Sequence, residues 1–252
     1  MNKASIIGIF LGITAILGGN LLEGGRINSI VQGSAALIVF GGTLGATFLS
    51  FSLKDIMLSA QMLKNVFVEE SLLPDDHSII RDMVDFASRA RQKGILSLDS
   101  EMNNIRYSFF RRALRLVIDG IDPKVLFSTL EQENRTFEEQ RGRAAKVFEA
   151  AGGYAPTIGI IGAVLGLIHV MENLSDPARL GSGIAVAFVA TVYGVASANL
   201  LFLPIAKKML NNIKHEIFLR EMIIDGVLGI QAGRSPYYLR EHLSSYLSKN
   251  KE

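Results

Sequence analysis

The 252-residue chain contains no cysteine, which excludes disulfides, CxxC metal sites and a thiol nucleophile. Its four histidines, His77, His169, His215 and His242, lack the mutual spacing of metal ligands. No glycine-rich phosphate loop, nucleophile elbow or HExxH helix is present, so ordinary enzyme chemistry is not expected. The net charge is only +2 and the basic residues form no patch or run, which argues against a nucleic-acid partner. The most informative absence is charge itself, which is missing from several long stretches. With 49% hydrophobic residues and a mean hydropathy of +0.30, the chain leans away from a soluble domain.

Ala4–Leu22 is the first uncharged stretch, and its 19 residues approach the roughly 20 needed to span a bilayer. A secretory signal peptide is the alternative, but there is no clean A-x-A site and a second apolar run follows at once. That run, Ile27–Leu53, is 27 residues long, and the turn before it is too short for a domain. A second hairpin begins near Gly153 and resumes at Leu180 after a polar break, ending at Ala206. The expected fold is an all-α membrane protein with four transmembrane helices. Residues 1–53 form the first hairpin, 54–150 a helical cytoplasmic domain, 151–206 the second hairpin and 207–252 a helical tail. Gly8/Gly12, Gly41/Gly45, Gly162/Gly166 and Gly194/Ala198 are each four apart, the spacing that lets helix backbones approach closely in lipid.

Between Lys54 and Lys146 there are 15 basic and 15 acidic residues, so this segment faces water. Ile79, Ile80, Met83, Val84 and Ala87 recur at helical spacing. Asp119-Gly120 reads as a break, and Asp122-Pro123 as a cap followed by a first-turn proline. In the tail, Ile213, Ile217, Ile224, Val227 and Leu228 suggest one amphipathic helix. Gly233-Arg234-Ser235-Pro236 ends it, and a closing helix follows through Leu239, Leu243 and Leu247. The two short turns carry one basic residue each, Arg26 and Arg179, whereas the large loop and tail carry 15 and 8. The positive-inside bias therefore puts both termini and the loop in the cytoplasm of a multi-pass protein.

An ion relay in a membrane normally needs an ionisable group at depth, and these runs contain no mid-membrane carboxylate. The second hairpin offers Thr157, Thr191, Tyr193 and Asn199, with His169 and Glu172 towards its outer end. A threonine hydroxyl can hold water or help coordinate an ion but cannot bind and release a proton at physiological pH. The hairpin reads as one wall of an ion path that another chain completes. Pro156 and Pro204 either mark helix ends or let those ends tilt, and Thr191 either faces the path or bonds its own i−4 carbonyl. Arg89, Arg91 and Lys93 precede Asp99 across Gly94, a pattern that by composition alone suits a solvated face.

With these residues together, the chain resembles the A subunit of the bacterial flagellar motor stator, the MotA/PomA family. Leu22-Glu23-Gly24-Gly25 resembles the first turn of that family, Ala90–Asp99 its cytoplasmic charged motif, Ala155–Gly162 its third span and Ala190–Gly194 its fourth. The resemblance implies several copies, a pentamer, around a dimer of a MotB-like subunit in the inner membrane. That partner would supply the essential Asp. Pro156, Pro204 and Thr191 would border the ion path, and Arg91 and Asp99, with Arg89 and Lys93 beside them, would engage the rotor protein FliG. Sodium-type relatives usually carry Thr seven residues after the third-span proline; Ala163 stands there, so the expected ion is a proton and no cofactor is implied. The alternatives are an ExbB/TolQ-type energiser, a sodium-driven stator, or a membrane scaffold without ion flux.

Overall fold

A computed structural model describes residues 3–67, 75–175 and 177–249. Residues 1–2, 68–74, 176 and 250–252, which fall within the expected segments, lie outside the described residues. Among the described residues the secondary structure is helical and no strand occurs. The chain divides into two compact units, one of residues 1–69 and 140–211, the other of residues 70–139 and 212–252. Among the described residues, four helices are long and apolar enough to cross a membrane.

In the first unit, α1 (Lys3–Leu22) ends where Gly24 takes φ +82°. The Gly24 and Gly25 N–H groups then bond back to the carbonyls of Leu21 and Asn20, which closes the helix and starts the turn. The Leu22–Gly25 motif is thus a helix stop that depends on glycine. A single turn, α2 (Ile27–Ile30), follows. The expected unbroken run from Ile27 is not observed, because Val31 and Gln32 are extended before α3 (Gly33–Ser50) begins. α3 contains one wide π turn at Leu37–Gly41. α4 (Leu53–Phe67) leaves it, with Asp55 3.8 Å from Arg143.

The second unit is built on the predicted periodicity. α5 (Asp76–Lys93) buries Ile79, Ile80, Met83, Val84 and Ala87. After Gly94, at φ +83°, a run of 3₁₀ turns covers Ile95–Asn104 and α6 (Ser108–Ile118) follows. α6 ends at Asp119-Gly120, and α7 (Pro123–Glu172) is capped by Asp122, whose Oδ1 accepts the Lys124 N–H at 2.9 Å. At 1.5 Å per residue its 50 residues extend about 75 Å. α8 (Pro177–Ser197), in the first unit, passes through a second π turn, Ala198–Phe202, into α9 (Leu203–Gln231), whose residues from 212 on belong to the second. Gly233 stops α9, and Ser235 caps α10 (Pro236–Lys249) by accepting the Tyr238 N–H. Leu219, Met222 and Ile223 of α9 join Leu239 and Leu243 of α10 in the core, fully removed from water.

One buried charge ties this core together. Arg220 on α9 bonds Glu216 at 2.8 Å and lies 3.9 Å from Glu133 on α7. Its guanidinium covers the rings of Phe137 (3.6 Å) and Phe109 (4.8 Å). Arg112 of α6 also bonds Glu133. Burial, and then the neighbouring Glu216 carboxylate, push the Tyr107 hydroxyl up to about 12.

Candidate functional site: a hydroxyl-bearing helix pair and a charged surface

The pairing of α7 with α8 rests on small residues. Ala155, Gly159, Gly162 and Gly166 form one buried stripe on α7, facing Gly183, Ala187, Ala190 and Gly194 of α8. A Cβ at Gly159 would lie 2.8 Å from the Ala190 carbonyl oxygen, and one at Gly166 would lie 2.7 Å from the Ala187 nitrogen. At Gly194 it would lie 2.5 Å from the Ala155 carbonyl oxygen. In lipid, where hydrophobicity drives no helix pairing, contact this close is what holds the helices in register. The predicted pair Gly162/Gly166, and Gly194 of the pair Gly194/Ala198, therefore sit in a tight interface. Gly41 and Gly45 do not, and on α3 it is Gly42 that faces Ile158 of α7.

That register fixes where the polar side chains point. Thr191 is half-buried beside Ala190, and its hydroxyl donates to the Ala187 carbonyl at 3.3 Å. Thr157 is exposed and donates to Tyr154 at 2.8 Å. Bonding to its own helix, the alternative considered for Thr191, is thus its state in this chain. A hydroxyl used this way still keeps acceptor capacity for water or an outside donor. Pro156 and Ala163, seven residues apart on α7, share a half-buried stripe, while the apolar face around Ile160, Val164 and Phe188 is exposed. His169 is exposed with Glu172 3.9 Å away, and the exposed Asn199 bonds Val195.

The prolines do not end helices. Pro156 lies inside α7, and Pro204 follows directly after the π turn in continuous helix. Proline removes one N–H and crowds the carbonyl four residues earlier. The turn before Pro204 is widened instead of broken, with the Leu203 N–H reaching the Ala198 carbonyl five residues back.

Tyr193 carries an arrangement that spacing could not reveal. Its hydroxyl donates to the Ile30 carbonyl at 2.6 Å and accepts the Gln32 N–H at 3.2 Å. Both partners flank the extended Val31–Gln32 step, and Phe40 stacks on the tyrosine ring at 6.0 Å. Ala35 and Val39 pack with Val189 and Ala190 around this clasp. Extended backbone between two helices needs partners for its polar groups, and just before the apolar helix Gly33–Ser50 one phenol pairs two of them.

The charged motif lies in the second unit. Arg91 and Lys93 end α5 exposed, and Arg91 has no ion pair among the described residues. Arg89 bonds Glu101, which also accepts from Asn104. Asp99 is exposed on the 3₁₀ run, where it meets Arg115 at 3.5 Å and not Arg91. Arg115 in turn lies 3.7 Å from Asp119. Arg91 and Asp99 thus remain separate features of one surface segment, and Arg115 and Glu101 are charged neighbours absent from the predicted set.

Comparison with known proteins accords with this arrangement. The model of the MotA/TolQ/ExbB proton channel family matches residues 101–222, and that of the motility protein A N-terminal region matches residues 6–94. Motility protein A of Bacillus subtilis is 32% identical over 247 residues, covering 98% of this chain and 91% of the relative. Chemotaxis protein PomA of Vibrio alginolyticus is 31% identical over 252 residues, covering 100% and 97%. A chain in the solved structure of C. jejuni MotAB superposes with a TM-score of 0.92 at 30% identity, covering 98% of this chain and 96% of that one. Similarity of this extent, over both hairpins and the segment between them, shows that the chain belongs to the MotA/TolQ/ExbB proton channel family.

Proposed function

We propose that this chain is the A subunit of a flagellar motor stator, working with a MotB-like partner to couple proton flow across the inner membrane to torque on the rotor. Its likeness to a MotAB chain over almost its whole length carries this reading. The absence of any mid-membrane carboxylate supports it, because a path lined by Thr191 and Thr157 needs a titratable group from elsewhere. In this reading the partner's Asp takes up and releases the proton beside the α7/α8 wall. Thr191, Thr157 and the Pro156–Ala163 stripe supply oxygen acceptors and a small-sided surface along which water can reach it. Ala163 offers no side-chain oxygen to a dehydrated sodium ion, which favours the proton. The subunit acts as channel wall and torque-bearing element, not as an enzyme. Several copies, five by family resemblance, surround the partner dimer, with both termini cytoplasmic. Pro156 and Pro204 let the helices bend as the partner's charge changes. Arg91 and Asp99, flanked by Arg89 and Lys93, form the face offered to FliG.

The N-terminal hairpin, matched by the motility protein A N-terminal model, weighs against an ExbB/TolQ-type energiser. The test is complementation. Cells lacking their stator regain swimming when this chain is expressed with its MotB-like partner, and not with either chain alone. Correctly inserted protein that never restores swimming would contradict the proposal.

A further inference from the structure

In the second unit, α7, α9 and α10 border a cleft of about 390 Å³. Phe127, Ile217 and Ile224 give it apolar walls, and four acids, Glu131, Glu138, Glu221 and Asp225, open onto it with Arg135. Two of the acids have partners: Glu131 bonds Arg135 at 2.7 Å, and Asp225 accepts from the Tyr246 hydroxyl with His242 Nε2 3.4 Å away. Glu138 and Glu221 make no ion pair or hydrogen bond among the described residues. Burial first, then the charges of Glu138 and Asp225, raise the Glu221 carboxyl above the usual glutamate range.

A second observation points to a ligand. Asn134 lines the same cleft, is only 6% exposed, and its Oδ1 has no hydrogen-bond partner among the described residues. Buried amide oxygens are nearly always paired, because leaving one without a donor is unfavourable. The cleft therefore lacks donors and positive charge in one place. Among the described residues no three acidic or histidine side chains are placed to hold a metal ion.

We propose that this cleft binds a primary ammonium group on an alkyl stem. An ammonium carries three donors and no acceptor, which suits the Asn134 amide oxygen and the Glu138 and Glu221 carboxylates. Its methylenes lie along Phe127, Ile217 and Ile224, as long basic side chains bury their stems while the head stays polar. The group comes either from a free polyamine or from a lysine of another polypeptide in the assembly.

The purified complex of this chain with its partner subunit is treated with a carbodiimide, with and without putrescine, and its peptides are read by mass spectrometry. Activated carboxylates couple to any amine that reaches them and fastest to one already held beside them, so at low putrescine Glu138 or Glu221 acquires it in excess of an exposed carboxylate if the source is a free polyamine. If the source is a lysine, either glutamate is joined to a lysine peptide. Exposed Glu139, the next residue on the helix, is the internal standard. Coupling at Glu221 is expected to fall about tenfold in both Asn134→Ala and Glu138→Gln, the loss of one hydrogen bond to a charged group. Glu138 is exposed, so Glu138→Gln keeps the test valid if Asn134→Ala fails to fold. Coupling at Glu138 and Glu221 no greater than at Glu139, or unchanged in Glu138→Gln, overturns the proposal.

Discussion

Tyr193 shows how much one side chain can carry in an apolar segment. Its hydroxyl satisfies a carbonyl and an N–H at a helix break just before the apolar helix Gly33–Ser50. Tyr193→Phe is expected to destabilise the complex by about 1–3 kcal/mol for each orphaned group. A thermal unfolding midpoint in detergent equal to that of the parent would contradict this. Glu221 makes a prediction of opposite sign. Its folded pKa is raised, so the folded state holds this proton to higher pH than the unfolded chain does. Stability therefore declines as pH climbs from the ordinary glutamate range through the raised value. Glu221→Gln removes the penalty, so it should unfold at a higher temperature than the parent at pH 7. That margin should shrink as the pH is lowered; a margin independent of pH would speak against the electrostatic account.

At the scale of helices, the α7/α8 pair depends on contact between backbones. A methyl group at Gly194 meets the Ala155 carbonyl and the Gly159 Cα, and neither can rotate away. Gly194→Ala is expected to cost about 1–3 kcal/mol and to reduce recovery of the assembled complex on co-purification with its partner. Undiminished recovery would mean that the pair separates more easily than its packing implies. Much of this level was legible in sequence: the uncharged runs marked the spans, and Asp122-Pro123 and Ser235-Pro236 marked helix starts through side-chain oxygens next to a proline. The break at Val31–Gln32 was not, because the run around it is uniformly uncharged and the group that stabilises it lies 161 residues away. Which of the two readings of the prolines holds was not legible for a related reason. Only the structure shows a π turn widening the helix before Pro204 and α7 continuing through Pro156. Likewise, the Arg91–Asp99 spacing was visible, but Arg115 as the partner of Asp99 depends on the packing of the 3₁₀ run on α6. Arg91 is exposed and makes no ion pair among the described residues, so, if it faces the rotor as proposed, Arg91→Glu should sharply reduce swimming while membrane assembly stays normal. Full-speed swimming by that variant would remove Arg91 from the rotor-facing set.

The molecule as a whole separates two tasks between its two units. One presents apolar helices and hydroxyls without a titratable group at depth; the other is a water-facing core held by Arg220 and edged with charge. In the proposed stator these are the ion path and the torque-bearing face, and the MotB-like partner supplies the proton carrier of the ion path. The most direct test is swimming speed of stator-deleted cells carrying this chain and its partner, measured at fixed pH over a range of external sodium and then with a protonophore. Proton coupling requires a speed indifferent to sodium and abolished by the protonophore. A speed that follows sodium and survives the protonophore would contradict it.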